Sequence, residues 1–578
     1  CYFHCSIASK TMEEGGIISK LVEKTVVSIK EKQSEAGLAL MTDNKSVLQE
    51  QAWAFLSKLS EGLQDLHLTE EQVRVYEQVL DILTNIGNVK ELAFAFSECC
   101  EVFRNSMLFH STVQYLTKTV LKLPAHQRSL DTLSDMLYGH IRTTELSQDK
   151  HPLEEEDDTP GNVYTRDCQE NSDILRVVRT ITDHFISPLS DRKHLATDTA
   201  RKQITELILK LLNYPLAFVM FDQEDETDMG NTEKLVNYLV TINPTVSHVM
   251  IEYASGTASQ LFTIEQIAEK PVQLAQHGGD DEALLHAIGN LAYLIFYEGL
   301  AEDSMPHVYT PTYKLVVLLP PLCSLYKLAS HDVVVYKAVK LLDSLLNAVE
   351  ANSLTHDFLD APSVRETVRL LFWCMQFNEM LTVRQTAARL LPLFISKLRY
   401  RARFYLFNWV LETEKSPEIL SYIFTLIKDF VHECWSQTDT KYDDYCLKLM
   451  SKIFHPPSEG DGNLISDLNK ISSALNLARY LVTRDKKRTS TFTREMKTYI
   501  EEYIKPVHHC LTAELENLQQ RLELIDKEDY QPIDCSVEVS GGDIIDSNIS
   551  VEREATEGVI AKINLVLYVH SCLSEALN

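Results

Sequence analysis

Two pairs of adjacent side chains are the first places to look for chemistry: His508-His509 could ligate a metal, and Cys99-Cys100 could cycle as a redox pair. Both stand in segments with helical apolar spacing. Neighbours there point about 100° apart, so neither pair closes on one ion or one disulfide without distorting the helix. The imidazoles are therefore expected at a surface or interface, with Cys510 beside them as a small apolar core residue. Twelve cysteines contain no C-x-x-C spacing; Cys1/Cys5 comes nearest, and reduced thiols are expected. No P-loop, dinucleotide fingerprint, H-E-x-x-H, G-x-S-x-G or kinase signature occurs. The expectation is a protein with no catalytic, cofactor or metal site, one that acts by gripping another protein.

Charge narrows the choice of partner. Lys+Arg 55 against Asp+Glu 83 gives a net charge of −28, which repels phosphate backbones and anionic lipid, so neither nucleic acid nor a membrane surface is expected as a partner. Two basic stretches run against that balance. Between Met380 and Leu411 no acidic residue occurs, while Arg384, Arg389, Lys397, Arg399, Arg401 and Arg403 are basic. This segment is either a solvated helix face or a docking patch for an acidic partner, or else pairs with acidic loops of the chain itself. The second stretch is Arg484-Asp-Lys-Lys-Arg488, followed by Arg494, Lys497 and Lys505, and reads as a charged loop between two helices.

The elements that must position these residues are helices. Thr69 with Gln72 forms a capping box before Val73, Tyr76, Val79, Leu80 and Leu83 at helical spacing. Ser363 with Glu366 and Thr382 with Gln385 predict two more starts, and Ser416 with Pro417 a third. At 578 residues, with only 18 Gly and 18 Pro, the chain exceeds a single core and favours long helices joined by short turns. Amphipathic helices paired at a spacing of about 40 predict an all-α, elongated HEAT/armadillo-like solenoid in two parts. One short strand or hairpin is allowed at Asp534–Ser540, ended by Gly541-Gly542.

Residues 1–15 are expected to be disordered or non-native, Met12 being the expected start. Residues 16–279 form N-terminal repeats with acidic loops at 143–165 and 222–233, and residues 280–578 form the partner-binding repeats, with a loop or short strand at 527–556. The longest apolar run, from Leu315, is broken by Pro320-Pro321, so no membrane insertion is expected.

GNLAYLIFYEGLAEDSMPHVYTPTYKL from Gly289, SALNLARYLVTRD from Ser473, YIKPVHHCL from Tyr503 and DCSVEVSG from Asp534 carry a resemblance to the glomulin family, in matching order and spacing. The likeness extends over most of the chain from about residue 30 and is sharpest after 280. The loop Lys486–Phe492 departs from the family in being more basic.

The resemblance implies an inhibitor of cullin-RING ubiquitin ligases. Such a protein binds the RING-box subunit, held by its cullin, through the C-terminal repeats, and masks the surface used by the ubiquitin-conjugating enzyme. Two alternatives stay open: a repeat adaptor linking signalling proteins such as an immunophilin or a receptor kinase, and a transport-receptor-like cargo binder. A cytoplasmic location is expected, with the nucleus open. The docking face is expected at Arg479, Tyr480, Arg484, Lys497, Tyr503, Lys505 and His508, because Tyr and Arg dominate binding hot spots.

Overall fold

The computed structural model describes residues 17–577 apart from 65, 67, 104, 125–129, 144–171, 192–194, 196, 221–225, 244–249, 251–279, 302–308, 329–330, 437–442, 456–463, 485–490, 526–536, 539–543 and 546–548. The expectations for residues 1–15, for the acidic segment at 144–165 and for the basic residues at 486–488 lie outside the described residues.

The chain forms two compact units: Cys1–Val349 with Pro362–Leu391, and Glu350–Ala361 with Pro392–Asn578. In the first, the helices are α1 (17–30), α2 (Ser34–Asp43), α3 (Lys45–Leu63), α4 (Glu70–Ile86), α5 (Val89–Val102), α6 (Ser106–Leu121) and α7 (Leu130–Thr143). There follow α8 (Ser172–Ile181), which continues through a π turn at Thr182–Ile186, α9 (Asp198–Asn213), α10 (Glu226–Ile242), α11 (Asp280–Phe296), α12 (Pro311–Lys327), α13 (Asp332–Ala348) and α14 (Pro362–Phe377). The division between units falls inside α15 (Leu381–Lys397), at Pro392. The second unit continues with α16 (Tyr400–Thr413), α17 (Pro417–Ser436), α18 (Asp443–Ile453), α19 (Leu468–Arg484), α20 (Thr491–Ile525), strands β1 (Val537–Glu538) and β2 (Ile544–Ile545), and α21 (Ile549–Leu577).

Within each unit most helices pack on the second helix before or after them in the chain. α3, α5, α7, α9, α11 and α13 make one layer, with α2, α4, α6 and α8 beside it. In the second unit α16, α18 and α20 face α17, α19 and α21. This alternation is the packing of a two-layered helical-repeat array, in which a helix pair buries its apolar stripe only against its neighbours. The repeat length reappears in the polar contacts: Tyr76 meets Thr112, Lys122 donates to the Thr84 carbonyl, and Cys99 lies against the Leu56 carbonyl.

Local signals held where the cap was self-contained. Thr69 and Gln72 form the capping box, and Ser416 caps Ile419 in front of Pro417. Two caps are corrected. α14 begins at Pro362, so Ser363 lies inside the helix and its carbonyl accepts from Thr367. α15 begins at Leu381, just after a turn in which the Asn378 side chain accepts from the Met380 N–H, while the Thr382 hydroxyl is buried without a partner. The hairpin is present, with Val537 opposite Ile545 and Glu538 opposite Ile544, but residues 549–556 are already helical. The acidic stretch expected as a loop at 222–233 is helical from Glu226 onward, consistent with carboxylates favouring a helix N-terminus.

The boundary expected near residue 280 does not divide the array. α11 packs on α9, and the Asn290 amide donates to the Leu212 carbonyl at 2.8 Å. Lys337 of α13, only 1% exposed, reaches the Leu216 carbonyl at 2.7 Å. At Gly289 a Cβ would lie 2.7 Å from Leu325 and 2.9 Å from the Pro321 carbonyl, so α11 and α12 approach more closely than any side chain allows. Repeats on both sides of residue 280 therefore share one core. A fragment starting at residue 280 is expected to aggregate, because the α11 surface that α9 covers becomes exposed; a monodisperse monomer by light scattering counts against the shared core.

Among the described residues one helix segment, Glu552–Leu577, is long and apolar enough (mean hydropathy 1.2) to cross a membrane, although it contains no unbroken apolar run of that length. Composition alone carries that signal, and the segment buries Ile563, Val566 and Leu573 within the second unit.

Candidate partner-binding face

α19 buries Leu468, Ile471, Ala474, Leu475, Leu477, Ala478, Leu481 and Val482 between α17 and α21. Its remaining arc is polar and exposed, carrying Asn476, Arg479, Thr483 and Arg484. Tyr480 is half-buried, and its hydroxyl meets Nδ1 of His432 at 2.5 Å. Burial raises its phenol pKa, an effect that Arg484 opposes. Ser421 and Ser473 share a 2.6 Å hydrogen bond that ties α17 to α19. Between these helices runs a groove of about 540 Å³, with Phe424 and Leu477 at its base and Thr425, Lys428, Arg479 and Tyr480 on its walls.

The other four expected residues stand on α20 and do not join this groove. Tyr503 is a correction: it is 5% exposed and packs on Phe454 with ring centroids 5.7 Å apart, so it belongs to the core. Burial pushes its phenol well above the usual range, with Asp467 adding to the shift. Lys497 is half-buried; Lys505 and His508 are exposed. His508 lies 4.8 Å from the His570 ring, whereas the charge of Arg479 acts on Tyr568. Tyr568 and His570 are two apart on α21 and point to different sides, so Arg479 and His508 stand on different flanks of α21. Two residues that the sequence placed on one face are thus separated by a helix.

The basic segment at Met380–Leu411 is largely used inside the repeats. Arg384 donates to the carbonyls of Asn378 and Glu379, Arg389 forks onto Asp343, and Lys397 and Arg403 are buried. Arg399 and Arg401 remain exposed, the latter over the Tyr405 ring at 5.6 Å. Burial pushes the Cys99 thiol up to about 12, and Cys100 is likewise raised, so neither supplies a thiolate. Cys510 is half-buried rather than in the core. Among the described residues no three His, Cys, Asp or Glu side chains converge as metal ligands.

Sequence reasoning missed Lys428 and Thr425, which sit in a helix read only for its apolar stripe, and Leu565 and Tyr568 on α21. The last two are 61% and 67% exposed in a segment whose composition suggests burial.

Residues 324–556 match the family described as an uncharacterised protein family, YAP/Alf4/glomulin. Glomulin of Homo sapiens is 21% identical over 558 residues, covering 92% of this chain and 89% of that protein. Glomulin of Mus musculus is 22% identical over 526 residues, covering 87% and 83%. A solved circular tandem repeat protein aligns with 97% of this chain and 96% of its own at 12% identity, with a TM-score of 0.17, too low to bear on the fold. The chain is thus similar to glomulin along most of its length, and its residues 324–556 match the family described as YAP/Alf4/glomulin.

Proposed function

We propose that this protein inhibits cullin-RING ubiquitin ligases by occupying, through its second unit, the surface of the RING-box subunit that a ubiquitin-conjugating enzyme needs. The similarity to glomulin along nine-tenths of the chain carries the reading. The groove between α17 and α19, within the family-matched residues, supports it by offering a docking surface on two packed helices, where little entropy is lost on binding. Masking needs no turnover, so inhibition is stoichiometric. In a ubiquitin-transfer assay with a neddylated cullin-RING complex, activity is expected to fall linearly with added protein and to reach its floor near one equivalent. Full inhibition at one-tenth of an equivalent, or none at a threefold excess, rejects the proposal.

A further inference from the structure

Elsewhere in this protein a cation on one helix meets a carboxylate on the next helix of the stack: Lys210 with Asp135, Arg389 with Asp343, Lys452 with Glu412, Arg521 with Glu552. The α17–α19 junction departs from that pattern. Lys428 and Arg479 both line its groove. Among the described residues Arg479 has no carboxylate within ion-pair reach, and Lys428 has only Asp429, its chain neighbour, at 3.8 Å. In a protein of net charge −28, two cations left together in a groove supply a local field that the rest of the surface lacks. The walls add hydrogen-bonding groups at Thr425, Asn476 and Thr483, over an apolar base of Phe424 and Leu477.

Beside this groove the exposed edge of α21 presents Ala561, Leu565, Tyr568 and Cys572, spaced by four, three and four residues and therefore on one helix face. α19, which carries Arg479 and Leu477 of the groove, packs directly on α21, so groove and stripe belong to neighbouring helices, and the Arg479 charge acts on the Tyr568 hydroxyl. Two large apolar side chains more than half exposed next to a cationic groove form a surface with a definite complement.

We propose that the α17–α19 groove receives an acidic side chain of the docked partner, its carboxylate held between Lys428 and Arg479, while an adjacent apolar side chain of that partner covers Leu565 and Tyr568. The inference rests on the partner-binding reading above and adds the chemistry of the contact. A carboxylate fits better than a phosphate: the groove is lined by one guanidinium and one ammonium, without the cluster of arginines that phosphate recognition uses.

The test has two arms, both with the full-length chain. In the first, calorimetry measures binding to the RING-box subunit on its cullin. Lys428→Glu with Arg479→Glu is expected to weaken binding at least 30-fold, Leu565→Asp at least 10-fold, and Lys505→Glu, on the other flank, less than threefold. Unchanged affinity in the first two variants, at the parent's melting temperature, overturns the groove and leaves the inhibitor reading standing. If the parent itself does not bind, the inhibitor reading fails and the second arm decides the groove.

That arm follows the anisotropy of a fluorescein-labelled Leu-Asp-Glu-Leu-Phe peptide against its Leu-Asn-Gln-Leu-Phe counterpart. The parent is expected to prefer the acidic peptide at least 10-fold and the double charge reversal to abolish that preference. Equal binding of both peptides, or of neither, overturns the proposal. So does a phosphoserine peptide that binds 10-fold tighter than the acidic one, or a Leu565→Asp variant whose only change is loss of self-association.

Discussion

Replacing Arg403 by alanine is expected to destabilise the second unit by about 3 kcal/mol, the effect of leaving several buried acceptors unpaired at once. The Arg403 guanidinium is 6% exposed and is fully engaged. Its Nε donates to the Leu398 carbonyl at 2.9 Å, and one terminal nitrogen to the Glu433 carboxylate. The other terminal nitrogen serves Asn352 Oδ1 at 2.7 Å and the Ser396 carbonyl at 3.1 Å. Asn352 stands at φ 55°, the left-handed region that asparagine adopts more readily than most non-glycine residues. Around it the segment 350–361 joins the end of α15 through three backbone hydrogen bonds, at Asn352, Leu354 and Arg399. One side chain therefore ties a connecting segment, the end of α15 and α17 to α16.

Arg403→Lys keeps the charge but not the fork and is expected to recover less than half of the loss. The check is urea unfolding followed by the fluorescence of Trp409 and Trp435, with Trp53 and Trp373 replaced by Phe. An alanine variant within 1 kcal/mol of the parent excludes the clamp. Glu433 is half exposed, so losing its ion pair alone costs little; the buried carbonyl and amide acceptors carry the effect.

The second large effect is acid sensitivity of the first unit. His286 is 1% exposed, and burial, with the Lys327 charge adding to it, pushes its imidazole down to about 3. His140 is 5% exposed and stacked on Phe109 at 4.2 Å; burial brings it down to about 4. Both folded-state values lie below the unfolded value of about 6.5, so the unfolded chain takes up protons that the folded one refuses. Their contribution is complete above pH 6.5 and declines as pH falls through the window from 6.5 to about 4. Each histidine then removes about 1.4 kcal/mol per pH unit, or roughly 5 kcal/mol for the pair between pH 6.5 and 4.5. Urea titrations at pH 7 and 4.5, read by Trp53 and Trp373, measure the loss. His140→Phe with His286→Phe is expected to remove most of it, and an equally steep pH dependence in the double variant would show that other groups cause it.

Much of the fold is local and was therefore legible in the chain. Apolar residues at 3.6-residue spacing form helices whatever they pack against, and the caps at Thr69 and Ser416 close on residues three away. The hairpin at Val537 and Ile545 was marked by the glycine pair between its strands. The net charge and the absence of catalytic motifs belong to the sequence outright. Similarity to the glomulin family was legible too, in segments made mostly of core positions.

What failed was decided by neighbours distant in sequence. Tyr480 and Tyr503 are alike in type and in helical setting, yet one lines a groove and the other meets Phe454, since only packing determines which arc of a helix is covered. The arginines of the Met380–Leu411 segment looked like one patch because they are close in the chain; their partners Asp343, Asn352 and Glu433 lie 30 to 51 residues away. The division expected between residues 279 and 280 failed because a solenoid divides where cores separate, and Asn290 and Lys337 reach across it. The α17–α19 groove and the exposed stripe on α21 exist only once the helices stack, because each is assembled from side chains that carry no motif of their own.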